Sequence, residues 1–317
     1  MIERIKNKAK DDPRFRKILG IVLMFIACCS FCYAAFVIKM LKNMNTSQLL
    51  LYRSAFSFIV NLSQLQKEKI FFQDEHISKI AYIRSIFAGI VDFSMIGAYQ
   101  YLKLSEAVSL MLTYPVIKCI FAKIFLEENV RRPIFLPSVL NIIGILLIIK
   151  PHLIIDFFTS SSSDDYMFLS KEQRDQQRHQ TFGYFLAIIF SLSLSTMDII
   201  IHNMRRKLSQ AVLMQYGYFG SIISSGLMIT WRQYNNANLD IFNLILICTA
   251  GATYFVGQRL FGKALLLGRS SQIIPLTYLQ IVIQIFVDIY VFEQNLSPVS
   301  IIGSIFITVG NLKTIKN

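Results

Sequence analysis

Residues 92–129 read DFSMIGAYQYLKLSEAVSLMLTYPVIKCIFAKIFLEEN, and this stretch decides the fold class. It predicts two apolar helices joined by a tight polar corner at residues 103–105. Polar side chains nevertheless lie inside the apolar runs, at Asp92, Tyr114 and Lys118. A charge buried in a bilayer is costly and usually has a task, so these residues are candidates for a functional site.

The whole chain repeats the apolar character of this stretch. It has 317 residues, of which 54% are hydrophobic. Ten continuous runs approach the ~20 apolar residues that a bilayer-spanning helix requires. We therefore predict an all-α membrane protein with ten transmembrane helices. The predicted spans are roughly 18–40, 46–65, 80–102, 105–126, 134–150, 181–203, 208–231, 241–266, 270–292 and 297–315.

The net charge is +13, and the basic residues behind it are distributed unevenly between the two sides of the predicted topology. Ten spans place alternate connections on alternate sides of the membrane. The set that includes both termini holds 18 Lys and Arg, and the other set holds 7. Because basic residues concentrate on the cytoplasmic side, both termini are predicted to be cytoplasmic. The basic balance thus indicates a lipid bilayer as partner and no nucleic acid.

A polar segment at residues 151–180 divides the chain almost in half, and the halves show a weak repeat. At an offset of 166, Ser105 aligns with Ser271, Glu127 with Glu293, and Gly144 with Gly310. Five spans is an odd number, so the second copy would cross the membrane upside down, as in many secondary transporters. The predicted units are a basic cytoplasmic tail (1–17), a first five-helix repeat (18–150), a polar flexible linker (151–180) and a second five-helix repeat (181–317).

Short motifs in both halves of the chain resemble those of a known protein family. Residues 99–115 (YQYLKLSEAVSLMLTYP) and 125–128 (FLEE) are similar to the pattern of the third and fourth spans in EamA-domain transporters of the drug/metabolite transporter superfamily. These transporters are related to nucleotide-sugar and triose-phosphate carriers. The counterparts in the second half and at its end are 264–275 (ALLLGRSSQIIP), 291–294 (VFEQ) and 303–310 (GSIFITVG).

The resemblance implies ten helices, cytoplasmic termini, a central cavity and contacts between protomers, so a homodimer is an open expectation. It implies no particular substrate, since the signatures of the phosphate and nucleotide-sugar subfamilies are not found.

Polar residues inside the spans give the candidate substrate-binding residues. Tyr114 and Lys118 are four apart and share a helix face, and their repeat counterparts Gln280 and Gln284 do the same. Lys118 and Arg259 would bind an anionic group. Asp92 or Asp198 would meet an amine or carry a coupling proton. The alternative is that these groups pair with one another for structural reasons. The candidate residues are Arg53, Asp92, Tyr99, Tyr114, Lys118, Asp198, Gln258, Arg259, Gln280 and Gln284.

The sequence favours transport over catalysis. It contains no Walker loop, GxSxG elbow or HExxH motif, so neither ATP coupling nor hydrolase chemistry is predicted. Cys29 and Cys32 form a lone CxxC inside an apolar run, so neither a metal nor a cofactor is expected. The prediction is a secondary transporter of a small polar metabolite (an organic anion, an amino acid or a sugar-phosphate-like compound) working by alternating access. The alternative is a transporter-like, non-transporting structural or assembly subunit.

Overall fold

A computed structural model of the chain describes residues 13–41, 44–68, 75–125, 135–149, 171–202, 210–231, 240–267 and 274–316. The predictions for residues 1–12, for Glu127 and for the linker residues 151–170 lie outside these ranges.

The described residues form helices, and these ranges contain no strand, which confirms the all-α class. The helices are α1 (Pro13–Met40), α2 (Thr46–Glu68), α3 (Glu75–Tyr101), α4 (Leu104–Met111), α5 (Tyr114–Phe125), α6 (Phe135–Ile149), α7 (Lys171–His202), α8 (Gln210–Trp231), α9 (Ile241–Leu267), a 3-10 helix (Ile274–Tyr278), α10 (Leu279–Tyr290) and α11 (Pro298–Lys316).

Five of these helices are long and apolar enough to cross a membrane, which makes the chain an integral multi-pass membrane protein. The segments are Ile18–Met40, Ala81–Tyr101, Gln177–Ile200, Gln210–Ile229 and Ile241–Leu265, and two shorter apolar helices cover Leu276–Tyr290 and Pro298–Val309. The count of ten spans and the inverted-repeat arrangement stay predictions.

Helix α7 begins earlier than the predicted sixth span. It starts at Lys171, so residues 171–180 are helical. The ring of His179 stacks on that of Tyr101, with centroids 5.4 Å apart, and Phe182 meets Tyr101 edge-on. Residues 171–180 are thus the first part of α7, and the division of the chain into two repeats joined by a linker stays a prediction.

The predicted fourth span is broken into α4 and α5 at Leu112 and Thr113. Pro115 has no backbone N–H, so it cannot bond to the Met111 carbonyl as a continuous helix would require. The Ser191 hydroxyl of α7 lies within hydrogen-bond distance of the Met111 carbonyl (3.2 Å) and of the Leu110 carbonyl (3.0 Å), and its single hydrogen can be donated to either. Such replacement of lost backbone bonds is what allows a helix to be interrupted inside a membrane protein.

Glycines allow two pairs of helices to approach closely. A Cβ on Gly220 of α8 would lie 1.8 Å from the carbonyl oxygen of Ser85 in α3, and one on Gly89 of α3 would lie 2.7 Å from the Gly220 carbonyl oxygen. A Cβ on Gly144 of α6 would likewise lie 2.7 Å from the Gly303 carbonyl oxygen of α11. No side chain fits at these positions without moving a helix. The α3–α8 contact matters most, because it sets the position of the polar residues described next.

Candidate functional site

The centre of the site is an ion pair between Arg53 of α2 and Asp92 of α3. The Arg53 Nη2 atom lies 3.1 Å from Asp92 Oδ2, and only 3% and 9% of the two side chains are exposed. Two opposite charges held this deeply stabilise each other strongly only when further hydrogen bonds compensate for the water that they have lost.

Asp92 receives those hydrogen bonds from α8 and α9. The Ser221 hydroxyl of α8 donates to Asp92 Oδ2 at 2.6 Å, and the Tyr254 hydroxyl of α9 donates to Asp92 Oδ1 at 3.0 Å. Gln258, one turn further along α9, donates from Nε2 to the Tyr254 hydroxyl oxygen at 3.1 Å. The Arg53 guanidinium also lies over the Tyr254 ring, 4.1 Å from its centroid, which is the geometry of a cation–π contact. We call Arg53, Asp92, Ser221, Tyr254 and Gln258 the central cluster.

The small residues of α3 and α8 explain why the cluster forms at this place. Gly220 immediately precedes Ser221, and Gly89 lies one turn before Asp92. Because both glycines allow the backbones to approach, the short Ser221 side chain can reach the Asp92 carboxylate.

The two partners of the ion pair differ in how completely their polar atoms are satisfied. Both carboxylate oxygens of Asp92 accept hydrogen bonds. The Arg53 Nε and Nη1 atoms are buried and make no hydrogen bond to any residue that the structure describes, and the same holds for the nearby Tyr218 hydroxyl. A buried donor without a partner costs about 1–3 kcal/mol, more when it is charged. The cluster therefore holds donors that an anionic group could satisfy.

A second ion pair joins α5 and α7. Lys118 Nζ lies 2.6 Å from Asp198 Oδ2, and the side chains are 36% and 15% exposed. Tyr114, one turn before Lys118, is half-buried, and its carbonyl accepts a hydrogen bond from the Ser195 hydroxyl at 3.0 Å. This pair is thus less enclosed by protein than the central cluster.

The two glutamines of α10 contact the neighbouring helix α1. Gln284 Nε2 donates to the Cys32 carbonyl of α1 at 3.2 Å, and Gln280 Nε2 lies 3.9 Å from Cys28 Sγ. These contacts fit the structural alternative that the sequence leaves open for them.

Two further candidate residues lie within electrostatic range of the central cluster, since Tyr99 interacts with Arg53 and Arg259 interacts with the nearby Tyr218. Tyr99 is buried within the main hydrophobic core. Arg259 is half-buried, and its guanidinium lies 5.7 Å from the centroid of the Phe255 ring. Of the ten candidates, the structure therefore joins Arg53, Asp92 and Gln258 in one group and Lys118 and Asp198 in another.

Three residues of the site are missed by sequence reasoning: Tyr218, Ser221 and Tyr254. Ser221 shares its helix face with Gly217 and Ser225, a small-residue spacing that packing alone usually explains. Tyr254 lies four residues before Gln258, so the shared helix face with a candidate residue is the signal that could have identified it.

A multi-span helical membrane protein with a buried charged cluster between its helices belongs to the class of proteins that handle polar solutes inside the bilayer. Residues 18–150 and 181–314 both match the EamA-like transporter family. The chain therefore belongs to this family, which confirms the resemblance found in the sequence and points to a membrane transporter of small solutes rather than an enzyme.

Individual relatives are distant. Solute carrier family 35 member G1 of Homo sapiens is 21% identical over 299 residues, which cover 93% of this chain and 78% of that protein. A solved crystal structure superposes with a TM-score of 0.59 at 12% identity, covering 93% of this chain and 96% of the other. At that identity the likeness shows a shared fold alone.

Proposed function

We propose that this chain is a secondary transporter that moves a small polar metabolite by alternating access and binds its anionic group at Arg53. The observation that carries the proposal is the Arg53 guanidinium, which is buried between helices with Nε and Nη1 unsatisfied. Arginine presents its donors as a planar fork that matches a carboxylate or a phosphate. A substrate with such a group would complete the hydrogen bonds that the protein leaves unmade.

The charges around Arg53 narrow the substrate class. Asp92 neutralises the charge of Arg53, while the Arg53 Nε and Nη1 donors have no hydrogen-bond partner among the described residues. These donors favour an organic anion or a sugar-phosphate-like compound. An amino acid fits as well, because its amine would meet Asp92 while its carboxylate meets Arg53.

Burial of the cluster supports alternating access. Arg53 and Asp92 are closed to solvent in this conformation, so a substrate reaches them only after helices separate. The Lys118–Asp198 pair is partly exposed and lies on α5, beyond the break in the fourth span. A substrate anion approaching from that side would meet Lys118 before Arg53, so Lys118 serves entry in this proposal. By the distribution of basic residues, that side is cytoplasmic and both termini lie there.

Purified protein in liposomes tests the proposal with radiolabelled glutamate, succinate and glucose 6-phosphate as probes of the three substrate classes. Arg53→Gln is expected to abolish the flux found for the wild type, and Arg53→Lys to weaken it, since lysine keeps the charge but loses the fork. Arg178→Gln is the control, because Arg178 is exposed near the start of α7.

A double variant separates substrate binding from structural pairing. Arg53→Met with Asp92→Leu removes both charges and leaves neither partner stranded. If the pair only holds α2 to α3, this variant transports like the wild type and the site assignment is wrong. If no flux is found for any probe and the protein purifies in a fixed stoichiometric complex, the structural or assembly subunit is the better interpretation.

A further inference from the structure

A second buried carboxylate, Glu106, lies in the first turn of α4, and neither the ion pairs nor the proposed substrate contacts use it. It is 4% exposed, and all residues of α4 are buried. Tyr184 of α7 donates to its Oε2 and Ser300 of α11 donates to its Oε1, each at 3.0 Å. Neither of the two ion pairs described above, Arg53–Asp92 and Lys118–Asp198, includes Glu106.

A buried carboxylate that has only hydroxyl partners can exist in two protonation states. The ionised form accepts from both hydroxyls and is favoured by its place at a helix N-terminus. The neutral form avoids the cost of a buried charge and donates its own hydrogen to one of the same oxygens. The contacts therefore suit a group that gains and loses a proton in place.

Hydroxyl groups connect Glu106 to the surface. The Ser300 hydroxyl lies 2.8 Å from that of Ser297, and either oxygen can be the donor. Ser297 is half-buried at the start of α11, and the preceding turn contains the exposed Glu293 and Asn295. The Ser297 and Ser300 hydroxyls therefore form a hydrogen-bonded link between this turn and Glu106 Oε1.

The neighbouring carboxylate, Asp288 of α10, has a different role. Its oxygens accept hydrogen bonds from the backbone N–H groups of Leu104 (3.1 Å) and Ser105 (2.8 Å) and from the Ser105 hydroxyl (2.6 Å). Three donors from the start of α4 therefore meet one carboxylate, so Asp288 fixes the beginning of this helix. Glu106 differs in that both of its hydrogen-bond partners are side-chain hydroxyl groups.

The remaining charged groups near α4 are occupied by backbone carbonyls. Lys39 of α1 donates to the Leu102 carbonyl, and Lys103 donates to the Asn295 carbonyl at 2.5 Å. Helix α6 contains no titratable residue, α3 contributes only the tyrosines at 99 and 101 to this end of the helix, and the α11 partners of α4 are serines at 300 and 304.

We infer that Glu106 binds and releases the proton that drives transport, an inference that rests on the proposed transporter function. The step is reversible protonation of one carboxylate, with the proton delivered through Ser300 and Ser297 from the side of the residue 293–297 turn. Glu106 touches α7 and α11 at once, so its charge state changes how firmly α4 is held against both helices. Arg53 keeps the substrate, and Glu106 supplies the link to the pH gradient.

Infrared difference spectra of the purified protein test the proton site without a substrate. Titration of the wild type is expected to reveal a buried carboxylic acid whose carbonyl band forms as pH falls and is lost in Glu106→Gln. Glu293→Gln makes the same chemical change at an exposed acid and should keep the band. A band that titrates unchanged in Glu106→Gln overturns the inference.

Flux measurements separate this inference from the proposed function. With glutamate, succinate and glucose 6-phosphate as probes, Glu106→Gln should lower accumulation driven by a pH gradient by about tenfold, within the range of measured couplings between sites. Exchange of labelled for unlabelled substrate without a gradient should continue. Ser300→Ala keeps the carboxylate and should slow only the gradient-driven uptake.

The Arg53 and Glu106 variants distinguish failure of the substrate site from failure of the proton site. If Arg53→Gln abolishes exchange while Glu106→Gln leaves gradient-driven uptake at the wild-type level, the proton site is wrong and the transporter proposal stands. If Arg53→Gln leaves exchange intact, the proposed substrate site fails, and the infrared titration still decides whether Glu106 binds a proton.

Discussion

The two ion pairs of this protein have the same kinds of charge in opposite surroundings. Arg53 and Asp92 lie in a closed space between four helices and are less than a tenth exposed. Lys118 and Asp198 lie closer together, at 2.6 Å, yet more than a third of the Lys118 side chain is exposed. The shorter distance therefore does not mark the stronger pair. The second pair is less enclosed by protein, whereas the first depends on every hydrogen bond that the surrounding helices provide.

Under the proposed function, this difference suits the two pairs to different tasks. A less enclosed pair can exchange partners at little cost, as a group that meets a substrate on entry must do. A buried pair with saturated carboxylate oxygens and unsatisfied guanidinium donors is poised for one specific additional partner. The predictions below test the contrast, beginning with the largest expected effect.

Asp92→Asn should be the most damaging single change. It leaves the Arg53 charge buried without its counter-charge, for which a loss of about 3–5 kcal/mol in stability is expected. Asp198→Asn should cost at most about 1 kcal/mol, because Lys118 can turn to water. Thermal unfolding of both variants in detergent measures the difference, and equal losses would contradict the contrast.

Tyr254→Phe should weaken the central cluster while keeping its shape. The ring stays beneath Arg53, but Asp92 loses one hydrogen bond, which is expected to cost about 1.5–3 kcal/mol because the acceptor is charged. Tyr82→Phe is the control, since Tyr82 is half exposed and meets Tyr216 edge-on. A stability of Tyr254→Phe equal to that of the control would show that the hydroxyl contributes nothing.

Gly220→Ala should separate α3 from α8. Its Cβ would lie 1.8 Å from a backbone oxygen, so strain of about 1–3 kcal/mol is expected, together with loss of the Ser221–Asp92 hydrogen bond and of flux. Gly226→Ala on the same helix meets no atom within 4 Å and should be neutral or stabilising by up to about 1 kcal/mol. Unfolding temperature and flux, measured together, would refute the packing argument if the two variants behaved alike.

A double-mutant cycle at the exposed pair should give the smallest value. Lys118→Ala, Asp198→Ala and the double variant are expected to yield a coupling of about 0–1 kcal/mol that decreases as salt is added. A larger, salt-independent coupling would mean that this pair is as dry as the central cluster.

The sequence was sufficient for the features that each segment sets by itself. Most helix positions follow from the apolar runs, although α7 begins earlier than predicted, at Lys171. The buried charges were also identified, because Asp92, Lys118 and Asp198 are conspicuous in apolar surroundings.

The hydrogen-bond and ion-pair partners of these groups could not be predicted, because they come from helices that are distant in the sequence and meet only in the folded protein. Nothing near Asp92 in the sequence indicates that Ser221 and Tyr254 bind it. Gln284 is polar, as a site residue would be, but its side chain donates a hydrogen bond to the Cys32 carbonyl. Glu106 escaped notice for another reason, since an acidic residue in the first turn of a helix is ordinary.

The interruption at Leu112 and Thr113 divides the predicted fourth span into two helical arms that meet at this point. The arm before it carries Glu106 and the arm after it carries Lys118, while the Ser191 hydroxyl holds the carbonyls at the pivot. In the proposed alternating access, a tilt about that point would move the two arms in opposite directions within the membrane plane. One end of the span would then approach its neighbouring helices while the other end moves away from them.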